Sequence, residues 1–171
     1  GDTLVEAALN GRTLTAAERR GEAPLPAGGR PAILVSACLL GCACRYDGKS
    51  KGNAAVQALA KEYQLIPVCP EQLGGLPTPR EPSERQGERV VMKSGRDVTA
   101  EYRRGAEEAL RLAELFDCGT AILKEKSPSC GSGLIHDGGF AGGLAPGDGV
   151  TAEVLKAHGI RVLGESQVGE L

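Results

Sequence analysis

The chain has 171 residues, 41% of them hydrophobic and 25% charged, with a formal net charge of -2, and this size and apolar share suit one compact core. The charge balance lacks the basic excess that drives sequence-independent binding to phosphate backbones, and 3% aromatic residues with no Trp give few platforms for stacking single-stranded nucleic acid. The expected partner is a small molecule rather than a large nucleic acid. No run approaches the roughly 18–20 apolar residues of a membrane helix, and the N-terminus has no charged segment followed by an apolar stretch, so the chain reads as soluble and cytoplasmic. A cytoplasmic domain with a full core has no need of disulfides, and its six cysteines point to metal binding or catalysis.

Residues 1–30 read as an N-terminal extension: Thr15-Ala16-Ala17-Glu18 has the form of a helix-capping box, and Gly21 to Gly29 has the Gly and Pro content of a linker. The main domain, 31–171, opens at Ala32-Ile33-Leu34-Val35-Ser36-Ala37, an apolar run typical of a strand buried on both faces. Cys38 closes it. Asn53 caps a predicted helix through Tyr63, and Leu65-Ile66-Pro67-Val68 is a second strand whose Pro67 argues for a sheet edge or for a strand that is irregular there. Cys69 follows directly. Val90-Val91-Met92-Lys93 with the turn Ser94-Gly95 predicts a small hairpin outside the main sheet. A helix is expected from Asp97 or Thr99, with Val98, Tyr102, Ala106, Ala109, Leu110, Ala113 and Phe116 on its apolar face, an i,i+4 pair of Glu107 with Arg111, and a stop at Gly119. Thr120 to Lys124 is a third strand leading into Ser127-Pro128-Ser129-Cys130-Gly131. Asp148 or Thr151 caps a last helix to His158, Gly159 ends it, and Ile160 to Leu163 is the final strand. Alternating strands and helices imply an α/β three-layer sandwich with a mostly parallel sheet.

Ligands of an open parallel sheet bind beyond the carboxyl ends of its strands. Cys38, Cys69 and Cys130 each follow a predicted strand at that end, although 31 and 61 residues separate them in sequence. Thiolates suit zinc or iron-sulfur groups. A structural zinc site usually takes a close pair of cysteines, which Cys38, Cys42 and Cys44 could offer, but this would leave Cys69 and Cys130 unexplained. An iron-sulfur cube accepts ligands from distant loops and normally takes four, so three would leave one iron open to substrate. Cys118 reads as a core residue, Cys42 as a loop residue, and Cys44 is expected outside the ligand set.

The segments Val35-Ser36-Ala37-Cys38-Leu39-Leu40-Gly41, Cys44-Arg45-Tyr46-Asp47-Gly48, Pro67 to Arg80 and Lys124 to Gly131 resemble the TudS-type thiouracil desulfidase family, formerly of unknown function, and the likeness extends from about Ile33 to Leu163. The resemblance implies a Rossmann-like domain whose 4Fe-4S cluster, held by Cys38, Cys69 and Cys130, serves removal of sulfur from a thiolated nucleobase or nucleotide of the 2- or 4-thiouracil type without net redox change. It also implies catalytic roles for an acid and a serine, which fall on Glu71 and Ser127. Arg45 and Ser129 are the expected substrate contacts; Arg80, Lys124 and Lys126 are further basic candidates. His136, in a glycine-rich stretch, is expected on the surface, and His158 at a helix C-terminus. Two other functions compete: a non-enzymatic zinc or iron-sulfur module used for redox sensing, and a desulfidase of thiolated tRNA.

Overall fold

The structure is a computed structural model that describes residues 29–171; the capping box and most of the linker expected in the N-terminal extension lie outside the described residues. Four parallel strands form the main sheet: β1 (Ala32–Ser36), β2 (Gln64–Val68), β5 (Thr120–Leu123) and β8 (Arg161–Gly164), in the order β2-β1-β5-β8. β2 is indeed an edge, where the missing N–H of Pro67 leaves no gap in an interior ladder.

Every residue of β1 is buried, and successive side chains enter opposite layers. Leu34, with Ile66, Val68 and Leu123, packs against α3 (Thr99–Leu115) and α4 (Val150–Ala157) through Ala109, Ala113, Ala152 and Leu155. Ile33 and Val35, with Ile122 and Leu163, face Val56 of α1 (Ala54–Ala58), Leu59 and Val168. The α/β three-layer architecture is therefore as the alternation implies. Asn53 caps α1, accepting the Val56 N–H through Oδ1 at 3.0 Å, but the α-helical part ends at Ala58 and gives way to a 3-10 turn, Leu59–Lys61.

Other elements differ from expectation. Asp117, at φ 54°, takes the left-handed position after α3, so the helix stops before Gly119. Arg111 pairs with Glu108 at 3.5 Å instead of Glu107. Gly149 is the residue before α4, not Asp148 or Thr151. β4 (Arg89–Met92) pairs antiparallel with β3 (Ser83–Gln86) across Gly87-Glu88 rather than across Ser94-Gly95, although that second turn also forms and closes an isolated bridge between Val91 and Asp97. The glycine-rich stretch contains an unforeseen hairpin, β6 (Leu134–His136) with β7 (Leu144–Pro146).

Two close backbone approaches position the loops at the carboxyl end of the sheet. α2 (Pro70–Leu73) begins directly after β2 and crosses α3 so tightly that a methyl group on Gly105 would collide with the Pro70 carbonyl. Gly105→Ala is expected to destabilise the fold by about 1–3 kcal/mol through overpacking and to displace α2, readable as a lower denaturation midpoint together with reduced activity. At the other approach, Gly149 lies against the backbone of Ser129. The first N–H groups of α4, on Val150 and Thr151, donate to the carbonyls of Pro128 (2.9 Å) and Ser129 (2.8 Å). A helix start thereby anchors the loop that carries Cys130.

Candidate active site and metal centre

A cavity of ≈ 450 Å³ opens at the carboxyl end of the sheet, and Cys38, Cys69 and Cys130 all line it. Cys38 sits in the 3-10 turn Ala37–Leu40 that follows β1, and Cys69 is the residue between β2 and α2. Cys130 stands farther beyond β5, brought back by the turn from Ser127. Here the Ser127 hydroxyl oxygen accepts the N–H groups of Ser129 and Cys130, both at 3.1 Å. The Ser36 hydroxyl accepts the Lys124 N–H at 2.9 Å and so ties the end of β1 to the exit of β5. These local bonds bring three cysteines that are distant in sequence to one cavity.

All three thiols are held in their neutral form by the protein alone. Burial, then the Glu71 carboxylate and the neighbouring Cys69, pushes the Cys38 thiol up to about 11. Burial and then Glu71 push Cys69 up to about 12. Cys130 is raised as well, again by burial first and then by Glu71. The nearby cations Lys124 and Arg45 offset only part of this rise at Cys38, and a cationic metal core would favour the thiolate form. Among the described residues no three His, Cys, Asp or Glu side chains gather closely enough for one metal ion. The three cavity thiols fit a group that spans the space between them better than a mononuclear zinc centre.

Glu71 lies in the first turn of α2, immediately beside the sulfurs. Its Oε2 receives a 2.8 Å hydrogen bond from the Arg80 guanidinium, and Cys69 Sγ stands 3.8 Å from the same oxygen. Burial raises the Glu71 pKa, while the charge and hydrogen bond of Arg80 and hydrogen bonds from Cys69 and Ser127 oppose the rise. Arg80 has a side chain only 3% exposed and also donates to the carbonyls of Cys44 and Pro77, both at 3.1 Å. Arg80 is therefore committed to holding Glu71 and the Cys44 loop, which corrects its standing as a free basic candidate for substrate. Removing the guanidinium with Arg80→Met strands a buried carboxylate, and a loss of about 3 kcal/mol is expected in chemical denaturation.

The remaining candidates divide. Arg45 lines the cavity, lying 5.6 Å from the centroid of the Tyr46 ring and 3.8 Å from Asp47. Ser129 does not reach the cavity: it is completely buried, with its hydroxyl 2.9 Å from Thr151 Oγ1 at the start of α4, so its expected substrate contact is corrected to a structural one. Lys126 lines the cavity, and so does Lys124, whose ammonium is paired with Glu165 at 2.7 Å. His136 is on the cavity wall rather than the outer surface, with Nδ1 buried and unpaired among the described residues, because β6 carries it inward. His158 meets the expectation, with Nδ1 2.9 Å from the Val154 carbonyl at the end of α4. Cys44 is buried beside Cys69 and lines the cavity, Cys42 is exposed, and Cys118 belongs to the core. Sequence reasoning missed the cavity-lining Glu84, Tyr102 and Phe140; the only early signal was the apolar spacing that placed Tyr102 on α3.

Residues 33–167 match the sequence profile of the family described as 2-thiouracil desulfurase. The chain is 42% identical over 149 residues to the uncharacterized protein YbbK of Bacillus subtilis (strain 168), covering 81% of this chain and 99% of the relative. It is also similar to a solved structure described as the 4Fe-4S-dependent thiouracil desulfidase TudS, with 53% sequence identity, a TM-score of 0.79, and coverage of 83% of this chain and 95% of that one. With most of its length inside that profile and more than half of its aligned residues shared with a solved relative, this chain belongs to the 2-thiouracil desulfurase family.

Proposed function

We propose that this chain removes sulfur from a thiolated pyrimidine, a nucleobase or nucleotide of the 2- or 4-thiouracil type, and that Cys38, Cys69 and Cys130 hold a 4Fe-4S cluster with one iron free of protein ligands. The observation that carries this reading is the convergence of three cysteine thiols and a buried carboxylate on one cavity. Among the described residues no helix is long and apolar enough to cross a membrane, and free cysteines in such a site suit the reducing cytoplasm. The catalytic unit is 31–171, with 1–30 as an appendage to it.

The reaction exchanges C=S for C=O: water adds its oxygen at carbon, the carbon-sulfur bond breaks, and hydrosulfide leaves with its electron pair, so nothing is oxidised or reduced. When bound, the cluster supplies a Lewis acid that attracts sulfur and eases its departure. Glu71 takes the proton of the attacking water; its burial favours the protonated carboxyl that results, and Arg80 keeps Oε2 in place before transfer. Ser127 uses its oxygen to accept two backbone N–H groups, leaving its own proton free for the Glu71 side. Arg45 stands at the wall where an oxygen or phosphate of the substrate would meet it.

An anaerobically reconstituted protein should release one hydrosulfide per thiocarbonyl converted, giving uracil from 2- or 4-thiouracil and uridine monophosphate from the corresponding monophosphate. Absence of sulfide release from all of these substrates, in protein that carries its cluster, would reject the reading.

A further inference from the structure

The chain contains three Tyr, two Phe and no Trp, yet Tyr46, Tyr102 and Phe140 all line the catalytic cavity. Two of them have other partners. Tyr102 is 3% exposed and packed with Val90, Met92 and Val98, while the Tyr46 ring carries the Arg45 guanidinium. Phe140 belongs to none of the apolar clusters of the core, so packing does not explain it. It is also held at φ 56°, a backbone region that bulky side chains rarely adopt.

The conformation is imposed by a built turn between β6 and β7. Glu84, itself buried and on the cavity wall, accepts the N–H groups of Gly138 (2.9 Å) and Phe140 (3.1 Å) through Oε1. Gln86 donates to the Gly138 carbonyl at 2.9 Å, and the Asp137 N–H meets the Gly143 carbonyl at 3.0 Å. A buried carboxylate and a strained backbone are thus both used to present one aromatic side chain to a cavity.

We propose that Phe140 is the platform on which the ring of the thiolated pyrimidine stacks, and that Glu84 is the positioning residue that sets it. The proposal rests on the desulfurase reading for the identity of the ring. A flat base with its polar groups around the edge leaves a face to be covered, and an aromatic side chain covers it without competing for those groups. Stacking of this kind binds substrate and transition state about equally, so it acts on KM rather than kcat.

Because the chain has no Trp, Phe140→Trp makes a single fluorescent reporter in the cluster-loaded protein. Titration with uracil should quench it saturably, and Glu84→Ala in the same background should weaken the apparent affinity for uracil at unchanged iron content. Phe140→Ala should raise KM for thiouracil about tenfold, with kcat changed less than about threefold, and Phe140→Tyr should restore KM. Iron content and melting temperature, recorded for each variant, separate lost stacking from lost fold. A wild-type KM in Phe140→Ala, or a Trp signal indifferent to uracil, would overturn the proposal while leaving sulfide release by the wild type intact. Saturable quenching in a protein whose wild type releases no sulfide would uphold the stacking site and reject the desulfurase reading alone.

Discussion

Replacing any one of Cys38, Cys69 and Cys130 with Ala is expected to abolish sulfide release and to strip most of the iron and acid-labile sulfide from the protein, whereas Cys42→Ala should leave both unchanged. The contrast follows from position. The three cysteines line one cavity, while Cys42 is exposed and absent from its lining. The thiols enter on separate loops after β1, β2 and β5, so no neighbouring cysteine in the same loop takes the place of Cys69 or Cys130. Folding should survive each substitution, because Cys to Ala removes little volume and Cys69 is only half-buried; circular dichroism and a denaturation midpoint check this. Retention of a full iron complement in any of the three variants would remove that residue from the ligand set.

Glu71→Gln is expected to lower kcat by about 10²–10⁴-fold, the usual contribution of a positioned acid-base group, while iron content and KM stay near those of the wild type. The amide keeps an oxygen that can accept from Arg80, which preserves the 2.8 Å contact holding α2 against the Cys44 loop. It loses the capacity to accept a proton from water. Steady-state kinetics combined with iron analysis on the same preparation separates this outcome from cluster loss, and a kcat within about twofold of wild type would remove Glu71 from the chemistry.

The strands were the most legible part of the fold. β1, β5 and β8 are short, apolar and bounded by turns or cysteines, and burial on both faces leaves little else for such segments to be. Pro67 even marked the sheet edge. Helix ends were less legible, because Asp117 takes the left-handed conformation that Gly119 was expected to supply. The hairpins were harder still. β6 and β7 have three residues each amid glycines, and their pairing depends on contacts with β3 and the Asp137 turn that no local pattern records.

The site divides along the same line. Strand ends gave away the three cysteines, since the carboxyl edge of a parallel sheet gathers whatever follows its strands. Ser129 was misjudged because proximity in sequence to Cys130 says nothing about which side of a turn a hydroxyl takes; the start of α4 claims it. Arg80 was misjudged because its partner lies nine residues away on another element. Phe140 and His136 reach the cavity from a hairpin that the glycine content disguised as an open loop.

The central claim concerns what the three sulfurs hold. Anaerobic reconstitution with ferrous iron and sulfide, in competition with zinc, followed by metal and labile-sulfide analysis, tests it most directly. The account predicts about four iron and four labile sulfide per chain, with zinc excluded from Cys38, Cys69 and Cys130. One zinc per chain, no labile sulfide, and loss of that zinc in the three Cys→Ala variants would contradict it.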